Sequence, residues 1–254
     1  MKLNDNHRDT LAIDIGNSGT KMLYGNEYLY LDYSTNWIMA IETFLDKKSI
    51  RAAGVSYVKE NVYLQIKEIL EDLCVNNIVD INRELYNQRI INFDNIKGIG
   101  SDRLLSMIAG LDYCNPPLIT ADCGTAVTVN ALAKGNIVIG GVIFAGLYTQ
   151  NYSLAKGTEQ LYEVEFSTID HTCGNNTTKA LNNGMLLSVA GGIRETCERI
   201  IREEFLYDDP AILLTGGYSD LIYEGLKDWD RELILDKQLV LKGILRLMRE
   251  LEDD

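Results

Sequence analysis

Residues 11–21 read Leu11-Ala12-Ile13-Asp14-Ile15-Gly16-Asn17-Ser18-Gly19-Thr20-Lys21. An apolar run ends at a carboxylate, a turn with two glycines follows, and Lys21 to Gly25 resumes as a second run. This pattern predicts a strand, a tight turn and a returning strand. The chain repeats it once. Leu118 to Ala121 is apolar, Asp122-Cys123-Gly124-Thr125 turns, and Ala126 to Leu132 returns. Two such openings predict an internal duplication with weak sequence similarity. Pro116-Pro117 punctuates the chain between them, which sets expected lobes at 1–115 and 116–254.

The intervening sequence fits two α/β lobes. After the first turn, Tyr28 to Tyr33 and Ile50 to Val55 read as strands, with Trp37 to Leu45 at helical spacing between them. Val62, Ile66, Ile69, Leu70 and Leu73 mark an amphipathic helix, and Ile78 to Ile81 a short strand. Residues 84–101 are irregular, and Leu104, Leu105, Ile108 and Leu111 mark a helix beginning near Asp102. In the second lobe Gly135-Asn136 is a hairpin turn before a strand at Ile137 to Ile143. Helical patterns span 147–161 and 177–205, a strand at Ala211 to Leu214 closes on Thr215-Gly216-Gly217, and a short helix, the strand 233–235 and a helix at 239–251 follow.

The turns carry phosphate chemistry. Glycine leaves room for backbone N–H groups to approach phosphate oxygens. In the first turn Ser18 and Thr20 offer hydroxyl donors, Lys21 a positive charge, and Asp14 a carboxylate for a cation that bridges phosphates. The second turn repeats the logic with Asp122, Gly124 and Thr125. Gly216-Gly217 allows a flat ring to lie on backbone at a helix start. Each turn alone is also an ordinary hairpin, because Asp, Gly, Asn and Ser are common turn residues. Taken in order, the three predict a nucleotide clamped between lobes.

Composition narrows the partners. The formal net charge is -13, which disfavours nucleic acid. Five cysteines without a Cys-x-x-Cys pair, and only two histidines, argue against a zinc site or disulfide framework and fit a reducing cytoplasm. The polar start lacks the apolar core of a signal peptide, and the stretch Ile137 to Leu147 is about half a membrane span. No membrane segment is expected.

The ordered turns are the signature of the actin-like ATPase and acetate and sugar kinase superfamily, whose fold is a pair of RNase H-like lobes with ATP in the cleft. Four further segments make the resemblance narrower. Gly100-Ser101-Asp102-Arg103 before a helix, Asp122 to Thr128, Gly140 to Gly146, and Asn176-Thr177 with Gly184 resemble, in order, the motifs of type III pantothenate kinases. The resemblance runs from Asp14 to about Gly217. It implies phosphorylation of pantothenate by ATP, the first step of coenzyme A biosynthesis, in a cytoplasmic homodimer. It implies that Asp102 is the base and that Gly100, Ser101, Arg103 and Thr177, with Phe93, meet pantothenate. Asp14, Ile15, Gly16, Asn17, Ser18, Gly19, Thr20, Lys21, Thr125, Gly216 and Gly217 would meet ATP. Asp122 would hold a monovalent cation (K⁺ or NH₄⁺), and Asp14 would contact Mg²⁺ arriving on ATP. The apolar face of the 177–205 helix (Ala180, Met185, Leu187, Val189, Ile193, Ile200) offers surface for core or partner.

Three positions depart from the family pattern. Phe93 stands for a tyrosine, Asn130 for an aspartate and Ala145 for a proline. The first two motivate a non-catalytic homologue with a regulatory or accessory role as an alternative, beside a kinase for another small alcohol. The residues also admit purely structural roles: Asp102 and Thr177 are both suited to capping the helices that begin beside them.

Overall fold

Burial explains the first strand, β1 (Thr10–Ile15), whose six residues are all buried. A strand covered on both faces reads as a continuous apolar run rather than an alternation. In the computed structural model, which describes residues 9–253, β1 is the middle of a five-stranded sheet. The chain then forms β2 (Gly19–Tyr24), β3 (Glu27–Asp32), α1 (Trp37–Leu45), β4 (Ala52–Tyr57), α2 (Glu60–Asp72), β5 (Asn77–Asp80), the short α3 (Ile81–Glu84) and α4 (Ser101–Gly110). The order is β3-β2-β1-β4-β5, antiparallel through β3-β2-β1 and parallel through β1-β4-β5. Apolar residues of α1 and α2 (Ile41, Leu45, Val62, Ile66, Leu70) join Leu11, Ile13, Ile15 and Val55 in one core.

The second half contains β6 (Leu118–Cys123), β7 (Ala126–Ala133), β8 (Ile137–Ala145), α5 (Leu147–Gly157), α6 (Thr177–Glu203), β9 (Ala211–Thr215), α7 (Ser219–Leu226), β10 (Leu233–Leu235) and α8 (Leu239–Asp253). Its sheet runs β10-β9-β6-β7-β8, again antiparallel through the hairpins and parallel through β6-β9-β10. The two sheets therefore share one topology, β6 standing where β1 stands. The duplication expected from the two turns is present in strand order and strand sense. Gly135 and Asn136 both have positive φ (76° and 60°), as a two-residue hairpin turn demands.

The chain divides into two compact units along lines other than the expected 115/116 boundary. Among the described residues, one unit holds 9–90, Gly98–Ala109 and 238–253; the other holds Ile91–Lys97 and Gly110–Lys237. The difference follows from α8. Its apolar residues, among them Leu241, Ile244, Leu245 and Met248, are buried, and the helix packs on β1 and β4. Two glycines make room for it. A Cβ at Gly54 of β4 would run into Met248 and Ile244, and a Cβ at Gly243 of α8 would run into the Leu105 backbone of α4.

Two elements depart from the sequence pattern. The helix at 147 stops at Gly157 instead of 161, and residues 158–176 form no helix or strand. The apolar face of α6 is mainly core: Met185, Val189 and Ile193 are buried, while Leu187 is exposed. Among the described residues no helix is long and apolar enough to cross a membrane.

Candidate functional site

In the first unit, Asp14 is the fifth of six β1 residues and stands opposite Lys21 of β2. The Lys21 ammonium lies 3.7 Å from the Asp14 carboxylate, and both side chains are mostly covered. The turn between them closes with Gly16 N–H donating to Gly19 C=O at 2.9 Å. A Cβ at Gly19 would run into the Leu31 carbonyl and the Tyr30 ring, so this glycine is required by packing against β3. Asn17 and Ser18 are exposed, whereas Ile15 and Thr20 are buried. Ile15 thus presents backbone only, and the Thr20 hydroxyl is engaged with the Tyr33 hydroxyl at 2.9 Å. Tyr33 also donates to the Gly16 carbonyl at 3.3 Å. Burial pushes the Tyr33 phenol above its usual value.

The same unit holds Gly100 to Arg103. Asp102 is the second residue of α4, inside the first turn instead of before it. Its carboxylate turns back toward Gly100, where a Cβ would meet Asp102 Oδ1. Glycine at 100 is therefore a condition of that carboxylate position. Arg103 is half-buried; desolvation pulls its guanidinium below the usual value, and the Asp102 charge opposes this. Ser101 is held by a chain of polar contacts, its hydroxyl 2.9 Å from that of Ser56, which donates to Asn82 Oδ1 at 3.2 Å. Asn82 in turn donates to the Tyr57 carbonyl at 2.6 Å. The start of α4 is thus fastened to the end of β4. Ser56 and Asn82 escaped the sequence reading because nothing in their spacing points to residue 101.

In the second unit three sequence motifs meet at Asp122. Asp122 stands opposite Thr128 of β7 and Thr215 of β9. Gly216 has φ +94°, and a Cβ there would run into Asp122 Oδ1 and the Cys123 backbone. A Cβ at Gly124 would lie 3.5 Å from the same carboxylate oxygen. Gly146 seals the other side: its N–H donates to the Thr125 carbonyl at 3.1 Å, a carbonyl that also accepts from the Thr149 hydroxyl at 2.6 Å. Thr125 itself remains exposed. Asn130, buried, donates to the Thr128 hydroxyl at 3.4 Å. Phe93 belongs to this unit through the Asn92 bridge to Ile137 on β8.

The start of α6 separates two neighbouring residues. Asn176 is the cap, its side chain accepting from Lys179 N–H at 2.9 Å, and Thr177 is exposed. The capping role considered for Thr177 belongs to its neighbour. Buried amides fix the irregular segment leading here. Asn182 bonds both the N–H and the C=O of Ser167, Asn183 donates to the carbonyls of His171 and Thr172, and Asn151 pairs with both backbone groups of Val164. Three amides replace the ladder a strand would have supplied. Their signal in the sequence is an Asn-Asn pair inside an apolar helical pattern.

Chemically, each unit presents a carboxylate beside a glycine turn at the end of a parallel strand, where open α/β sheets bind ligands. The carboxylate and carbonyl oxygens around Asp122 are hard donors suited to a hard cation. Among the described residues no group of three or more His, Cys, Asp or Glu side chains is placed to hold a metal.

A family profile described as type III pantothenate kinase matches residues 10–199. A type III pantothenate kinase of Sulfurihydrogenibium is 29% identical over 92% of this chain and 97% of its own length. One from Thermosipho africanus is 31% identical over 92% and 96%. Among solved structures, a conserved Baf family protein of Campylobacter jejuni, named as a candidate transcriptional activator, superposes with a TM-score of 0.63 at 21% identity, covering 96% of this chain and all of that one. Component A of the (R)-2-hydroxyglutaryl-CoA dehydratase of Acidaminococcus fermentans gives 0.51 at 15%, covering 94% and 95%. The structural matches speak for the fold, that of actin-like ATPases.

The cap at Asn176 can be separated from the exposed Thr177 beside it. Asn176→Ala should lower stability by about 1 kcal/mol through the lost cap. Thr177→Ala should leave the thermal midpoint near wild type. Paired melting curves check both, and a large loss in Thr177→Ala would return the structural role to that residue.

Proposed function

The chain belongs to the type III pantothenate kinase family, and from that premise we propose how its own residues carry the reaction. The protein is an enzyme that phosphorylates pantothenate in coenzyme A biosynthesis, using ATP with a divalent metal. The observation that carries the residue assignment is the Asp102 carboxylate, folded back toward Gly100 beside the partly desolvated Arg103.

Asp102 is the base. It takes the proton of the pantothenate primary hydroxyl as that oxygen attacks the γ-phosphorus of ATP. The position supports this, because a carboxylate inside the first turn of α4 is not committed as the residue before the helix would be. Arg103 holds an oxygen of pantothenate, and its planar fork suits a carboxylate or amide. Gly100 and Ser101 supply the close backbone approach. Thr177, exposed and free of the capping role, adds a hydroxyl. Phe93 supplies a ring face without the hydroxyl of the family's tyrosine.

ATP falls to the glycine turns: its phosphates to Asp14–Lys21, a hydroxyl contact to Thr125, the adenine to Gly216-Gly217. Within the first turn the contacts come from backbone, Asn17 and Ser18, since Thr20 is buried. Asp14 would contact the Mg²⁺ that arrives with ATP, an ion that would supply charge neutralisation to the phosphates. A monovalent cation belongs at Asp122. The enzyme works as a homodimer, a reading supported by exposed apolar residues of the second unit: Val142, Ile143, Tyr148, Tyr152 and Leu187.

Three outcomes follow. Asp102→Asn should cut turnover by roughly 10²-fold or more while the melting curve stays near wild type; near-normal turnover would remove Asp102 from the mechanism. Rates in potassium or ammonium should exceed those in a bulky organic-cation buffer, and equal rates would dispose of the cation at Asp122. Light scattering at micromolar protein should return twice the chain mass, against which a monomer mass would stand.

A further inference from the structure

The carboxylate of Asp14 already engages the one lysine of the first turn, Lys21, at 3.7 Å. A triphosphate needs further positive charge, in a chain whose formal net charge is -13. A further lysine stands just beyond the strand beside β1, at the start of α2. β4 runs parallel to β1 with Ile15 level with Tyr57, and Val58 N–H donates to the Ile15 carbonyl at 3.0 Å. The chain leaving β4 therefore stays laced to the residue that opens the turn. One position later comes Lys59, half-buried, with its ammonium 4.5 Å from the centre of the Tyr33 ring. Among the described residues Lys59 enters no ion pair, in contrast to Lys21.

Tyr33 joins this lysine to the turn. Its ring carries the ammonium, and its hydroxyl bonds to Thr20 and the Gly16 carbonyl. Its own N–H reaches the Ser18 carbonyl at 3.4 Å. One aromatic residue thus holds the turn at Gly16, Ser18 and Thr20. Tyr33, Trp37, Lys59, Asn61 and Gln65 line an open cavity of about 450 Å³, roomy enough for a phosphate group. A cation over a ring face is held weakly, and a phosphate oxygen offers it a stronger charge-assisted bond.

We infer that Lys59 is a second phosphate-binding cation of the nucleotide site and that Tyr33 is the positioning residue of the glycine turn. The inference rests on the assignment of Asp14–Lys21 to the phosphates. Lys59 leaves the ring and binds an outer phosphate of the nucleoside triphosphate. Tyr33 keeps the turn in shape whether or not Lys59 is engaged.

The test is calorimetric binding of ATP and AMP, with steady-state kinetics, on Lys59→Met, Lys59→Arg, Tyr33→Phe and Asp14→Asn. Methionine keeps the stem on the ring and removes the charge. Lys59→Met should weaken ATP roughly ten-fold, the loss of one charged contact. Its affinity for AMP and its KM for pantothenate should hardly move, and Lys59→Arg should recover most of the ATP affinity. Tyr33→Phe should raise KM for ATP and spare that for pantothenate. Unchanged ATP affinity in Lys59→Met, with affinity altered in Asp14→Asn, would overturn the inference and leave the turn assignment standing. Unchanged affinity in both would overturn the two together. An equal loss for ATP and AMP in Lys59→Met would mean a general structural effect and would also overturn it. Melting curves identify any variant that fails to fold, and the half-exposed Lys59 keeps the test available if Tyr33→Phe does.

Discussion

A carboxylate at the end of a buried strand must be compensated, because an ionised group removed from water is costly unless paired or hydrogen-bonded. The fold meets this condition twice, at the fifth residue of β1 and the fifth of β6. In both places the next turn contains glycine and the neighbouring strand is parallel. The compensation differs. Asp14 faces a lysine across the hairpin, whereas Asp122 faces Thr128 and Thr215 and lies against Gly216 and Gly124. Asp14 has a lysine 3.7 Å away, and small and hydroxyl-bearing residues stand beside Asp122. The proposed assignments of phosphates to the first turn and a cation to the second draw on that difference in facing residues.

Much of the fold was legible because its cues are local. Strands β1 and β6 are continuous apolar runs, the Gly135-Asn136 turn has the chemistry its backbone requires, and Val62, Ile66 and Leu70 of α2 and Met185, Val189 and Ile193 of α6 are buried, whereas Leu73 and Leu187 of the expected stripes are exposed. What could not be read depends on partners distant in sequence. Gly54 and Gly243 look like isolated weak points in a strand and a helix until α8 is seen against β4 and α4. The placement of α8 also explains why a boundary drawn at two prolines separated residues that fold together.

The site shows the same division. The motifs single out Asp102, Arg103, Asp122 and Gly216 as candidates, and the structure supplies reasons for the glycines that motifs alone do not. Gly19 answers to β3, Gly100 to the Asp102 carboxylate and Gly216 to both φ and Asp122. The residues that orient these groups were invisible. Tyr33, Ser56 and Asn82 belong to no motif in sequence, and only the fold brings their polar atoms to the turn and to Ser101. Asn182 and Asn183 are a partial exception, since amides within an apolar stripe require hydrogen-bond partners and so announce an unseen backbone segment.

The return of α8 to the first unit has a bearing on synthesis. The second unit has all its strands and helices once residue 237 has been made, and its parts are contiguous apart from Ile91–Lys97. The first unit begins earlier, but β1 and β4 lack the helix that packs on both of them until the segment from Gln238 onward has been made. Emergence order and completion order are therefore reversed. The half that begins first waits for α8 before its packing on β1 and β4 is complete.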